Sequence, residues 1–119
     1  MDLKRFIQEY TDAVYHNRDP EALARFVADP CIRHEHGRRE VMTLEQNKAR
    51  VAGFLAQAAN VKFAVAAELA EGEFYASAYQ FSFSQGDSEN TLSGIEIFRV
   101  RDGKITETWN AAAGEGAWG

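Results

Sequence analysis

Cysteine is almost missing from this chain: Cys31 is the only one in 119 residues, so no internal disulfide and no Cys-x-x-Cys pair exists. That scarcity points to a reducing compartment, and a cytoplasmic protein is the expectation. Cys31 itself reads as a small buried hydrophobe. Proline is confined to Pro20 and Pro30, which argues against a disordered or linker-rich chain. No apolar run approaches the length of a membrane span, and the opening MDLKRFIQEYTD lacks the unbroken apolar stretch of a secretion signal. Basic runs are absent too: Arg38-Arg39 is the longest, and a formal charge of −5 repels a phosphate backbone. Neither nucleic acid nor a membrane is an expected partner. Phosphate-binding glycine loops and the G-x-S-x-G nucleophile elbow do not occur.

What remains is an ordinary globular composition, 45% hydrophobic and 26% charged, in a chain sized for one domain over residues 1–119. Leu3, Phe6, Ile7, Tyr10 and Val14 recur at helical spacing behind Asp2, predicting an amphipathic first helix to about His16-Asn17. Asp19-Pro20 restarts the chain as cap and first helical residue, with Leu23, Phe26 and Val27 buried and Asp29-Pro30 as the stop. Cys31 to about Arg39 fits a strand. Thr43-Leu44-Glu45-Gln46 has the form of a capping box, so a third helix runs from there to about Ala59, with Asn60 as a left-handed stop.

From Val61 the period becomes two. Strands are expected near 61–71, 74–85, 91–101 and 104–113, joined at Glu71-Gly72-Glu73, Gly86-Asp87 and Asp102-Gly103. Helices followed by an antiparallel meander predict an α+β fold. On the second of these strands Tyr75, Tyr79, Phe81 and Phe83 share one parity, and Phe74, Ala76, Ala78 and Gln80 the other; either set can face inward. Two apolar faces on one sheet layer imply a homodimer through the sheet. The terminal AAAGEGAWG reads as a tail or a strand extension, with Trp118 either disordered or docked on a partner subunit.

The most informative stretch is SGIEIFRVRDGKITETWN, residues 93–110. Asp-Gly between alternating apolar runs is a strong hairpin signal. Gly94, Glu96, Phe98 and Val100 share one strand face, so Glu96 stands among apolar neighbours, where lost hydration raises a carboxyl pKa. It then serves as an acid or as a neutral donor to an oxyanion. The competing reading pairs it with Arg99 or Arg101 in solvent.

This segment resembles the close of the nuclear transport factor 2-like superfamily, whose SnoaL-type polyketide cyclases and ketosteroid isomerases end in an I-[DE]-x-F-R-[FV] strand, a DGK turn and a strand ending near a Trp. The likeness extends more weakly over nearly the whole chain. It implies a cone-shaped α+β domain, with three N-terminal helices packed on a curved antiparallel sheet around a pocket for a small hydrophobic ligand. It also implies acid/base proton transfer on a carbonyl compound, or else a non-catalytic binding or dimerisation module, and no cofactor. By the resemblance Glu96 stands where ketosteroid isomerases keep a protonated Asp, the case that serves as a standard illustration of such tuning. Ungapped spacing puts Glu35 at their general base.

A shift of one residue replaces Glu35 by His34 or His36, and Ile32, His34 and His36 occupy the face opposite Arg33 and Glu35. The family's oxyanion Tyr falls on Thr11 here, one residue from Tyr10, which lies on the apolar stripe, so its ring reads as core, with a hydroxyl able to reach the pocket. SnoaL-type cyclases follow the last-strand Trp with an Asp base. Trp109 is followed instead by Asn110, which orients a carbonyl but takes up no proton. Phe98, Tyr10, Asn110 and Trp109 complete the expected substrate contacts. His34-x-His36 lacks nearby third and fourth ligands, so no metal is expected.

Overall fold

In the computed structural model, which describes residues 1–116 and 118, the chain runs as three helices and six strands. Helix α1, Leu3–Thr11, starts where Asp2 accepts from the Arg5 N–H at 3.1 Å and continues as a wider i→i+5 turn over Asp12–His16. A turn at Pro20–Ala22, capped by Asp19, leads into the short α2, Leu23–Phe26. Strands β1 (Val27–Glu35) and β2 (Arg38–Met42) precede α3, Leu44–Gln57. The capping box forms: Thr43 Oγ1 accepts from the Gln46 N–H at 3.1 Å, and Gln46 Oε1 from the Thr43 N–H at 2.8 Å. The other end of α3 is closed from outside, where the Arg18 guanidinium donates to the Leu55 and Ala58 carbonyls.

Strands β3 (Ala59–Glu71), β4 (Phe74–Gln85), β5 (Ser88–Arg101) and β6 (Lys104–Glu115) form the meander. Asp102 and Gly103 both have positive φ, 50° and 74°, as the tight hairpin requires. The sheet is curved and unclosed, in the order β2-β1-β6-β5-β4-β3. Its architecture is α+β with N-terminal helices. It is not purely antiparallel, because β1 returns alongside β6 in parallel.

Three local expectations change. The second helix ends at Phe26, since Val27 already has extended geometry and pairs with Ile105. The single strand over 31–39 is a hairpin, because His36 (φ 54°) and Gly37 (φ 73°) reverse the chain and β2 pairs back on β1. The terminal segment takes the strand-extension alternative, carrying β6 to Glu115, but the Trp118 indole docks within its own chain, donating to the Tyr79 carbonyl at 2.7 Å; residues 117 and 119 lie outside the described part.

The core fills the space between helices and sheet. Val14, Leu23, Val51, Tyr75 and Ile105 are almost fully buried there, joined by Ile7, Leu55 and Phe98. On β4 the aromatic set turns inward: Phe54 of α3 meets Phe81 and Phe83 at 5.3 and 5.5 Å between centroids, and Phe63 stacks on Phe81 at 4.3 Å. The alanine set faces out. Among the described residues no helix is long and apolar enough to cross a membrane.

Candidate active site

Between the helices and the concave face of the sheet lies a cavity of about 290 Å³. Leu23, Val27, Cys31 and Ile105 give it a buried apolar end, while Gln8, Val65 and Ala112 are lining residues exposed to solvent on the open side. Such a space suits a small organic molecule. Cys31 is inert there, its thiol pushed up to about 11 by burial.

The polar part of the wall is a row set by strand register. Glu35 on β1 pairs with Asn110 on β6, Asn110 with Glu96 on β5, and Glu96 with Ser77 on β4. With neighbouring strands about 4.8 Å apart, the Glu35 and Glu96 backbones stand about 10 Å apart with Asn110 between them. All four side chains line the cavity. One step along, Arg33, Thr108, Phe98 and Tyr75 form the parallel row.

Glu96 forms no ion pair among the described residues. The surface it keeps faces the cavity, and burial pushes its carboxyl up to about 7; Arg33 and Arg50 pull it back, and Glu35 pushes further. Arg99 and Arg101, its competing partners, are engaged elsewhere: Arg99 with Glu107 at 2.8 Å and Glu73 at 3.3 Å, Arg101 with Glu73 at 2.8 Å. Glu35, in contrast, accepts from Arg33 Nη2 at 3.2 Å.

Tyrosines frame the carboxyls. The Tyr79 hydroxyl donates to Asn110 Oδ1 at 2.9 Å, and its phenol is raised to about 12, by burial first and then by Glu96. Gly94 makes that placement possible, because a Cβ there would sit 2.5 Å from the Tyr79 hydroxyl oxygen. Burial, followed by Tyr15, lifts Tyr10 well above the usual phenol range; its ring packs edge-on against Phe26 and Phe98. From α3, Asn47, Arg50 and Phe54 reach the same space.

Of the residues singled out from sequence, the structure brings Glu96, Glu35, Tyr10, Phe98 and Asn110 to one cavity. It does not bring His34, His36 or Trp109 there. His34 points out of the convex face, bonded to Glu107 at 2.7 Å and stacked on Trp109 at 5.1 Å with 3° between planes. His36 sits in the turn, and its left-handed backbone breaks the alternation that would have put it on a strand face. The register therefore selects Arg33 and Glu35. Arg33, Arg50, Asn47 and Tyr79 were not among the site residues expected from sequence; for α3 the available signal was Asn47, Arg50 and Phe54 at i, i+3 and i+7, which places two polar groups on the inward stripe. Among the described residues, no group of three or more His, Cys, Asp or Glu is arranged to hold a metal ion.

Comparison with known proteins agrees with this architecture. The family profile described as a SnoaL-like domain matches residues 7–108. A SnoaL-like polyketide cyclase from Agrobacterium tumefaciens superposes with a TM-score of 0.79 at 16% identity, covering 94% of this chain and 91% of that one. An LEH-like epoxide hydrolase of M. tuberculosis gives 0.76 at 15%, covering 91% and 80%. A protein from Catenulispora acidiphila with a ketosteroid isomerase-like fold, in complex with trimethylamine, gives 0.71 at 17%, covering 85% and 80%. No curated protein matches the sequence. At these identities the likeness is one of fold.

Proposed function

The chain belongs to the SnoaL-like domain family, and from that premise we propose that its cavity takes a small, largely apolar carbonyl compound and moves a proton on it. The observation that carries this reading is the pair of unlike carboxyls in one row: Glu35 held by Arg33, and Glu96 without a counter-ion and tuned toward neutrality. Two carboxyls in environments that separate their proton affinities are suited to divide base and acid roles. Glu35 removes a proton from the carbon beside the carbonyl, and the electron pair moves onto the carbonyl oxygen. Protonated Glu96 donates a hydrogen bond to that oxygen as charge develops. Return of the proton at another carbon gives isomerisation; attack of the enolate on a second carbonyl gives ring closure. Asn110, fixed by Tyr79, and Tyr10 orient the substrate.

The test is deuterium exchange. Wild-type protein accelerates exchange of the α-hydrogens of 2-tetralone in D2O, followed by NMR, and Glu96→Gln lowers that rate by about 10²- to 10⁴-fold without loss of fold. A full rate in Glu96→Gln refutes the assigned role. Binding of the ketone with no exchange supports the alternative of a non-catalytic binding module.

The convex face supports a second part of the reading, a homodimer. Ile95, Ile97, Leu69 and Phe74 are exposed there, with Arg39 on the β2 side and Glu71 on the β3 side. A two-fold axis along the mid-sheet strands sets Arg39 of one copy near Glu71 of the other and covers the apolar centre. Sedimentation equilibrium should give twice the chain mass for wild type and a monomer for Ile97→Glu; a monomeric wild type at micromolar concentration contradicts it.

A further inference from the structure

Arg50 bears on which molecule the cavity takes. Four side chains with formal charge line the space: Arg33, Glu35, Arg50 and Glu96. Arg33 and Glu35 offset each other at 3.2 Å. Arg50 has no such counterpart, for among the described residues it forms no ion pair; its Nε and Nη2 reach the Asn47 amide oxygen at 3.4 Å each, and the Tyr15 hydroxyl lies beside it. Asn47, one turn earlier on α3, is buried and steadies the guanidinium from one edge, while Arg50 itself lines the cavity. Burial works against the charge on Arg50, yet its pKa lies above the ordinary guanidinium range, with the neighbouring Tyr15 hydroxyl among the groups that favour the charged form, and the group stays protonated.

The wall thus carries one positive charge in excess whenever Glu96 is protonated. A guanidinium in a half-enclosed apolar space is costly unless an oxygen anion meets it, and its planar fork fits a carboxylate in two parallel hydrogen bonds. We propose that the cavity's ligand bears a carboxylate, bound by Arg50, with its apolar ring body against Phe54, Phe63 and Phe98. In the proton-transfer reading, on which this assignment of substrate class rests, the substrate is a small keto acid. Arg50 then anchors the acid group while Glu35 and Glu96 act on the carbon skeleton.

Calorimetry with two probes of similar shape tests this: 2-naphthoate, which carries the carboxylate, and 2-acetonaphthone, which does not. At pH 6 the wild type should bind 2-naphthoate at least about ten-fold more tightly. Arg50→Met should bring the two affinities within about two-fold while keeping that for the ketone, which also reports an intact cavity. If Arg50→Met binds neither probe, Arg50→Gln decides by the same criterion.

The preference should shrink between pH 6 and pH 8, because ionised Glu96 repels a bound anion. Facing Glu96 are Arg33 and Glu35 from β1, Tyr10 and Tyr15 from the first helix and its extension, Arg50 from α3, and Tyr75 and Tyr79 from β4. Burial raises the phenols of Tyr10, Tyr75 and Tyr79 above their usual range, so these three stay neutral across that interval. Equal affinities in the wild type, or an undiminished preference in the Arg50 variants, overturn the proposal. The two readings separate cleanly: a carboxylate preference without proton exchange keeps the ligand class and removes the enzyme, whereas exchange without the preference does the reverse.

Discussion

Glu96 and Glu107 stand on neighbouring strands of one sheet and meet opposite fates. Glu107 faces the convex side, where His34 at 2.7 Å and Arg99 at 2.8 Å take up its charge and Trp109 and Phe74 pack beside the cluster. Glu96 faces the concave side, forms no ion pair among the described residues, and is pushed up to about 7. Both are glutamates in strands of similar composition, so the difference arises from face alone. On the convex side the carboxylate is a structural anchor. On the concave side the same group, buried and without a counter-ion, has its proton affinity raised toward neutrality.

The contrast is sharpest in catalysis. Glu96→Gln should cost the exchange rate about 10²- to 10⁴-fold, whereas Glu107→Gln should leave it within about two-fold. Equal losses in the two variants would mean that the fold responds, not the site.

Stability against pH separates them next. The Glu96 carboxyl lies above its ordinary 4.5 in the folded state. Its protonated form is therefore the one that favours folding: the contribution is fully present below about pH 4.5 and is lost as pH rises through about 7. Converted at 1.36 kcal/mol per pH unit, that loss is about 3 kcal/mol. Denaturant unfolding of wild type and Glu96→Gln across pH 5 to 8.5 should show the variant gaining relative stability as pH rises; parallel curves contradict the account.

A smaller effect is expected from Gly94, which lets Tyr79 lie across β5. An alanine there places a methyl 2.5 Å from the Tyr79 hydroxyl and 3.0 Å from the Ala111 carbonyl oxygen. Gly94→Ala should cost about 1–3 kcal/mol in chemical denaturation and lower exchange by releasing Asn110 from Tyr79. The smallest change is that of Glu107→Gln on stability, about 1 kcal/mol, reduced at high salt because the cluster is partly exposed.

The frame of the fold was readable because its signals are local. Thr43 and Gln46 form a reciprocal cap and Asp102-Gly103 turns as expected, each through chemistry contained in a few residues; Asn60 does take positive φ, but inside β3 at a register shift, not as the stop of α3, which ends at Gln57. Facing was harder. Alternation on residues 31–36 separates His34 from Glu35, but which set enters the cavity depends on β6, more than seventy residues away, and on the reversal at His36-Gly37. The short β2 is polar and exposed at the sheet edge, so no apolar pattern announces it. On β4 the aromatic set turned inward because Phe54 and Phe63 supply rings to meet it, a match between a helix and a strand that neither segment reveals alone. Arg50 was passed over for a related reason: an arginine on a helix ordinarily reads as solvated, and only the curvature of the sheet encloses it.

The most direct measurement is a titration of the Glu96 side chain itself, by carboxyl-carbon NMR of 13C-glutamate-labelled protein, with Glu96→Gln identifying the signal. The account predicts a midpoint near 7. A Glu96 signal titrating near 4.5 would contradict it.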